Sequence, residues 1–144
     1  MTEERIRAQD RGSVRILTID NAAKRNALDY ASLAELERAC DAAARDGVRC
    51  LVLRGAGDQA FSSGFDLSAM DGPGGDRPDL AVERAMEAVE AVPCPTVAFV
   101  NGAAFGAGCE LAVTCDLRVA SAGAQLGMPP AKLGVVYAAA GLRR

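Results

Sequence analysis

Glu110 stands in the run Asn101-Gly102-Ala103-Ala104-Phe105-Gly106-Ala107-Gly108-Cys109-Glu110-Leu111, where an apolar strand leads into small residues and then into a helix. Small residues let a backbone pass close to a ligand, and the first-turn amides of a helix have no intrahelical acceptor. Such a turn can hold an anion. No Lys-Ser or Lys-Thr follows the glycines, which disfavours a P-loop and makes a developing oxyanion the better occupant. Glu110 itself meets two opposed effects: desolvation among small and apolar neighbours raises a carboxyl pKa, and the helix dipole lowers it. It could serve as a general acid or base. On these residues alone, a Glu that merely favours a helix N-terminus is the preferred reading.

The histidine count is 0, so no Ser-His, Cys-His or His-ligated metal mechanism can be assembled within the chain. Acid–base work falls to carboxylates, Lys, Tyr or Cys. Ser62, Ser63 and Cys109 have no activating base as nucleophiles; Cys109 at a helix start could be somewhat acidified, but packing is its favoured role. A second Gly-rich run, Gly55-Ala56-Gly57-Asp58-Gln59-Ala60, spells G-x-G-x-x-A. A dinucleotide site would need a helix to open there with its N-terminus on the pyrophosphate, and Phe61-Ser62-Ser63-Gly64 is a poor helix start. A plain turn is the better reading, with NAD binding a remote rival.

The elements that must position these groups follow from periodicity. Val14 to Ile19 after Gly12 reads as a strand in a hairpin with Arg5-Ile6-Arg7. Asp29 reads as the N-cap of a helix carrying Leu33, Leu36, Cys40 and Ala43 on one face, with Gly47 as its stop. Cys50 to Leu53 has the continuous apolar character of a strand buried on both faces. Residues 71–78 (DGPGGDRP) oppose regular structure and read as a mobile loop. Asp79 can cap the next helix, with Val82, Ala85, Met86 and Val89 on one face and Glu83, Arg84, Glu87 and Glu90 on the other; Pro93 and Pro95 end it. A strand over Thr96 to Val100, a small-residue helix over roughly Gly106 to Cys115 and a strand over Leu117 to Ala120 complete the reading. Strands alternating with helices through short connections predict an α/β protein with a largely parallel sheet.

Composition narrows the class. With 144 residues and 50% hydrophobic content the chain suits one domain with its own core. Net charge is −3 and no Lys/Arg stripe is present, so nucleic acid is not an expected partner. The five cysteines, odd in number and without a C-x-x-C pair, read as reduced structural thiols of a cytoplasmic protein. No apolar signal core opens the chain and no apolar stretch is long enough to span a bilayer. No membrane partner is expected.

Four segments carry a family resemblance. "AFSSGFDLSAM" (60–70) resembles the A-F-x-x-G-x-D-L segment of the crotonase, or enoyl-CoA hydratase/isomerase, family. "NGAAFGAGCELAVTCDLRVAS" (101–121) resembles its N-G-x-x-x-G-x-G-x-E-L-x-x-x-C-D-x-R-x-A signature nearly position for position, and "KRNALD" (24–29) and "AQLGMPPAKLGVV" (124–136) match in order and spacing. The resemblance implies a crotonase-like (ClpP/crotonase) ββα superhelix core over 1–144, and an acyl-CoA thioester as substrate with no separate cofactor or metal. It implies an enolate held by two backbone amides, which map to Phe65 and Ala107, with Glu110 as the proton-moving carboxylate. A CoA pocket is implied around Lys24, Arg25, Ala27, Ser63, Gly64, Phe65, Asp66, Leu67 and Gly106. Charge alone suits Lys24-Arg25 to phosphates, and a solvated basic turn suits them equally.

The chain departs from the pattern at one functional position. Where hydratases of the family carry a second glutamate, it reads Leu126-Gly127-Met128-Pro129-Pro130, and Pro130 has neither a side-chain proton nor an N–H. Hydration needs one group for water and another for the α-proton, so a one-carboxylate proton shuttle of the isomerase kind stays open, as does a non-catalytic acyl-CoA-binding remnant. Tyr137 could donate a proton, although a packed Tyr is the favoured reading. The ending at Gly141-Leu142-Arg143-Arg144 resembles the family's G-G-x-x-R-L stretch, so a chain cut before the C-terminal helices that mediate trimer formation is expected, with an apolar patch over Leu133 to Leu142 left uncovered.

Overall fold

The computed structural model describes residues 3–71, 77–129 and 139–144. Its first strands, β1 (Ile6–Arg11) and β2 (Val14–Ile19), form an antiparallel hairpin in which Ile6 faces Ile19 and Arg11 faces Val14. The carboxylate of Glu35 anchors the hairpin by accepting the amides of Arg5 and Ile6 at 2.7 and 2.9 Å. Helix α1 (Tyr30–Arg45) then carries the chain to β3 (Cys50–Gly55), parallel to β2. Its start is a capping box: Asp29 accepts from Ser32 N and Ser32 Oγ accepts from Asp29 N, each at 2.8 Å, so two otherwise unpaired donors are satisfied.

The expected faces of the helices hold. Leu33, Leu36, Cys40 and Ala43 of α1 are buried, as are Ala81, Val82, Ala85, Met86 and Val89 of α2 (Pro78–Glu90). Two local expectations are corrected. Helix α2 begins at Pro78, with Arg77 at the cap and no side-chain cap bond; Asp79 lies in the first turn and takes the Arg77 guanidinium instead. Pro suits this first position because its missing N–H has no helical acceptor there. Strand β3 is buried on one face only: Leu51 and Leu53 are inside, while Cys50 and Val52 are half-buried. A continuous apolar run therefore did not mean two covered faces.

Strands β5 (Thr96–Val100) and β7 (Leu117–Ala120) complete a five-stranded sheet of order β1-β2-β3-β5-β7, parallel beyond the hairpin. Its inner face, with Leu17, Ile19, Leu51, Leu53, Ala98 and Val100, joins Leu33, Leu36, Met86 and Val89 in one core. On the other face Phe99, Leu117 and Val119 are exposed.

A second sheet was not anticipated. Three very short parallel strands, β4 (Ala60–Ser62), β6 (Ala103–Phe105) and β8 (Leu126–Gly127), pair in the order β4-β6-β8. Helix α3 (Ala107–Thr114) leaves directly from β6, and a short helix α4 (Ala139–Arg143) follows later. The second sheet brings the 60–66 and 101–110 segments side by side. Pro130, Tyr137, residues 72–76 of the expected loop and Leu133 to Ala138 of the expected patch lie outside the described residues; within that patch Leu142 is described and is exposed.

Candidate active site

Asn26 organises the first wall of the site. It is buried at positive φ, next to Arg25 with the same backbone sign, a conformation in which Asn is tolerated better than most residues. Its Nδ2 donates to the carbonyls of Ala56 and Ala60 at 3.0 and 2.8 Å, and its Oδ1 accepts from Asn21 N at 3.0 Å. The 21–28 turn is thereby tied to the end of β3 and the start of β4. The backbone continues the junction: Ser63 N donates to Arg25 O at 3.0 Å, Leu28 N to Gly64 O at 2.8 Å and Asp66 N to Leu28 O at 2.7 Å. Segments 24–28 and 63–66 thus form one ladder.

Gly64 and Gly108 bring this ladder against α3. At Gly64, with φ +100, a β-carbon would sit 2.7 Å from Phe105 O and 3.4 Å from Ala107 N. At Gly108 it would collide with Ser62 O and lie 2.8 Å from Ser62 Cβ. Only hydrogens fit at both places. Gly106, at φ 54, caps α3, donating its amide to Gly127 O and accepting from Glu110 N, each at 3.0 Å. Among the described residues, the amides of Phe65 and Ala107 donate to no protein acceptor. Phe65 sends its ring inward, edge-on to Tyr30 at 5.2 Å between centroids.

Glu110 is 3% exposed, on the first turn of α3. Burial pushes its carboxyl above the ordinary glutamate value, and Arg144 beside it pulls the other way. Arg144 Nη1 donates to Glu110 Oε1 at 3.0 Å. The Cys109 thiol is raised by burial, contrary to an activated nucleophile and in keeping with a packing role; burial pushes Cys40 and Cys115 up to about 12. All five cysteines are unpaired.

Of the residues singled out in the sequence, Lys24, Arg25, Ala27, Ser63, Gly64, Phe65, Asp66, Gly106, Ala107 and Glu110 fall on these adjoining segments. Lys24 Nζ is bonded to Asp66 Oδ2 at 2.7 Å and so enters an ion pair rather than standing as a lone cation. Lys24 and Ser68 hold the Asp66 carboxyl below its usual range. Ser63 Oγ donates to Lys24 O at 3.1 Å; Leu67 starts a short 3-10 turn and is half exposed. Sequence reasoning missed Asn26, Asn101, Gly141 and Arg144. Only the G-G-x-x-R-L resemblance pointed near the last two.

Parallel ββα turns with a glycine-packed junction between a β4 loop and a helix N-terminus define a crotonase-type α/β protein. Residues 9–144 match the family model "Enoyl-CoA hydratase/isomerase", and the chain belongs to that family. It is 38% identical over 136 residues to a "Probable enoyl-CoA hydratase" of Bacillus subtilis, covering 91% of this chain and 52% of that protein. It is 35% identical to the crotonyl-CoA hydratase of Syntrophomonas wolfei, covering 100% of this chain and 57% of that one. The crystal structure of an enoyl-CoA hydratase/carnithine racemase from Magnetospirillum magneticum superposes with a TM-score of 0.91 at 29% identity, over 99% of this chain and 55% of that one. The chain spans about half the length of the curated relatives it matches.

Proposed function

We propose that this chain binds an acyl-CoA thioester and stabilises the enolate formed when a proton moves at the α-carbon. The amides of Phe65 and Ala107 receive the thioester oxygen and Glu110 carries the proton. The observation that carries this reading is the Gly64 contact: the residue preceding Phe65 lies directly against the amide of Ala107, and neither amide is spent on a described protein acceptor. Amides fixed in this way favour the enolate over the ground-state carbonyl, and each is worth on the order of 3 kcal/mol in the transition state. Burial of Glu110 supports a proton-transfer role, because a carboxyl raised above its ordinary value is better matched to work near neutral pH. The exposed 24–25 turn, with Ala27, Ser63, Asp66, Leu67 and Gly106 around it, supplies the CoA-facing wall in this reading. Five unpaired thiols favour a cytoplasmic setting.

The test is turnover of crotonyl-CoA and of longer 2- and 3-enoyl-CoAs. Conversion by the wild type and its loss in Glu110→Gln is expected; no conversion by either refutes the catalytic claim. A second reading, binding without chemistry, is favoured by Pro130 at the second carboxylate position. Calorimetric binding of CoA in the absence of turnover selects it.

A further inference from the structure

Gly141 of helix α4 and Arg144, the residue that follows the helix, both meet Glu110. Gly141 presents bare backbone: a β-carbon there would lie 2.7 Å from Glu110 Oε1, 3.1 Å from Cδ and 3.3 Å from Oε2. Arg144 presents its guanidinium, 9% exposed, to the same Oε1. The guanidinium is itself fixed from the opposite side by α2. Nη2 and Nη1 reach the two oxygens of Glu83 at 2.9 and 3.2 Å, and Nε reaches Glu90 Oε1 at 2.7 Å. Every guanidinium nitrogen is therefore committed, and its fork geometry leaves little freedom to the carboxylate it holds. Among the described residues, no hydrogen bond reaches Glu110 Oε2.

We propose that Arg144 is a positioning residue for Glu110: it pins Oε1 against the Gly141 backbone and leaves Oε2 as the oxygen that exchanges a proton. The proposal rests on the acid–base role argued above for Glu110. Charge supports it independently. Glu83 and Glu90 face Glu110 across the guanidinium, and both oppose its ionisation, as does burial. Glu87 and Arg143 line the open side of the same cluster. Arg144 is the group that makes the ionised carboxylate accessible among these neighbours.

The test is the titration of Glu110 followed by carbon-13 NMR of glutamate side chains in the full chain. Removing the guanidinium in Arg144→Gln is expected to raise the Glu110 midpoint by about one pH unit or more. Arg144→Lys, which keeps a charge but loses the fork, is expected to fall between it and the wild type. Glu90→Gln weakens the hold of α2 on Arg144, keeps the Arg144–Glu110 bond and removes a charge that opposes Glu110 ionisation, so a rise in both variants would mark loosened packing alone. The proposal predicts no rise in Glu90→Gln. A Glu110 midpoint unmoved in folded Arg144→Gln overturns it; if that variant does not fold, an unmoved midpoint in Arg144→Lys does so. Failure of the acid–base reading shows separately, as equal enoyl-CoA turnover in wild type and Glu110→Gln with the midpoint shift intact.

Discussion

Asn101 reads both backbone groups of Gly55: its Oδ1 accepts the Gly55 amide and its Nδ2 donates to the Gly55 carbonyl, each at 3.0 Å, with a further bond to Gly57 O at 2.7 Å. This pairing explains why Gly55 to Ala60, which spells a dinucleotide fingerprint, is a turn. Its backbone groups are turned to a side chain of the neighbouring strand end. Asn101→Ala is expected to cost about 2–3 kcal/mol, since buried or half-buried backbone groups lose their partner, and urea unfolding measures it.

Asn26 offers a sharper comparison because it combines three hydrogen bonds with a positive φ. Asn26→Ala loses the bonds and strains the backbone; Asn26→Gly loses only the bonds. Both are expected to be destabilised, Ala more than Gly by about 1 kcal/mol. Equal midpoints in urea would show that the backbone sign contributes nothing.

Ala107→Pro removes the amide proton at the start of α3. Ala107 is the first residue of α3, where proline is tolerated in helices because its N–H has no intrahelical acceptor. The ring carbon on this nitrogen would press toward Gly64, so circular dichroism checks the fold first; in the folded variant the proposed oxyanion donor is gone, and enoyl-CoA turnover is expected to fall by about 100-fold or more. Retained turnover would remove this amide from the mechanism.

Gly108→Ala tests the junction itself. The added methyl collides with Ser62 O, a backbone atom that cannot swing aside, so α3 must move away from β4. Overpacking of this kind costs about 1–3 kcal/mol. Thermal unfolding reads the loss, which should exceed that of an exposed Gly123→Ala, where a β-carbon meets nothing.

The pH dependence has opposite signs at two glutamates. Glu110 binds its proton more tightly folded than unfolded, so its contribution to stability is present below the ordinary value of 4.5 and is lost as pH rises through the folded value. Glu83, held down by Arg144, contributes above that value and loses its contribution as pH falls through its folded one. If Glu110 acts as the base, the acid limb of kcat/KM lies above pH 4.5. A limb at or below that pH, measured with crotonyl-CoA, would contradict its burial.

The long elements were legible because their signals are repetitive. Asp29, the four apolar residues of α1 and the β-branched run of β2 each state one preference several times over. Strands β4, β6 and β8 are two or three residues long, too short for alternation to register, so the second sheet was invisible although its residues were singled out for chemistry. Helical period placed Glu83 and Glu90 away from the core, which is correct, yet period cannot say what covers them. The Arg144–Glu110 bond joins positions separated by 34 residues, and neither side chain carries a local mark of the other. The backbone amides at 65 and 107 were reached only through the family pattern, because an N–H leaves no trace in residue type.

The glycine contacts at 64 and 108 interlock two stretches of chain far apart in sequence, 62–64 and 105–108, so that neither can be retuned alone. At both contacts backbone meets backbone or a Cβ, with no long side chain between them to give way. Laboratory evolution of this protein should therefore find its gains in coordinated pairs of substitutions spanning both stretches, and seldom in single steps at either.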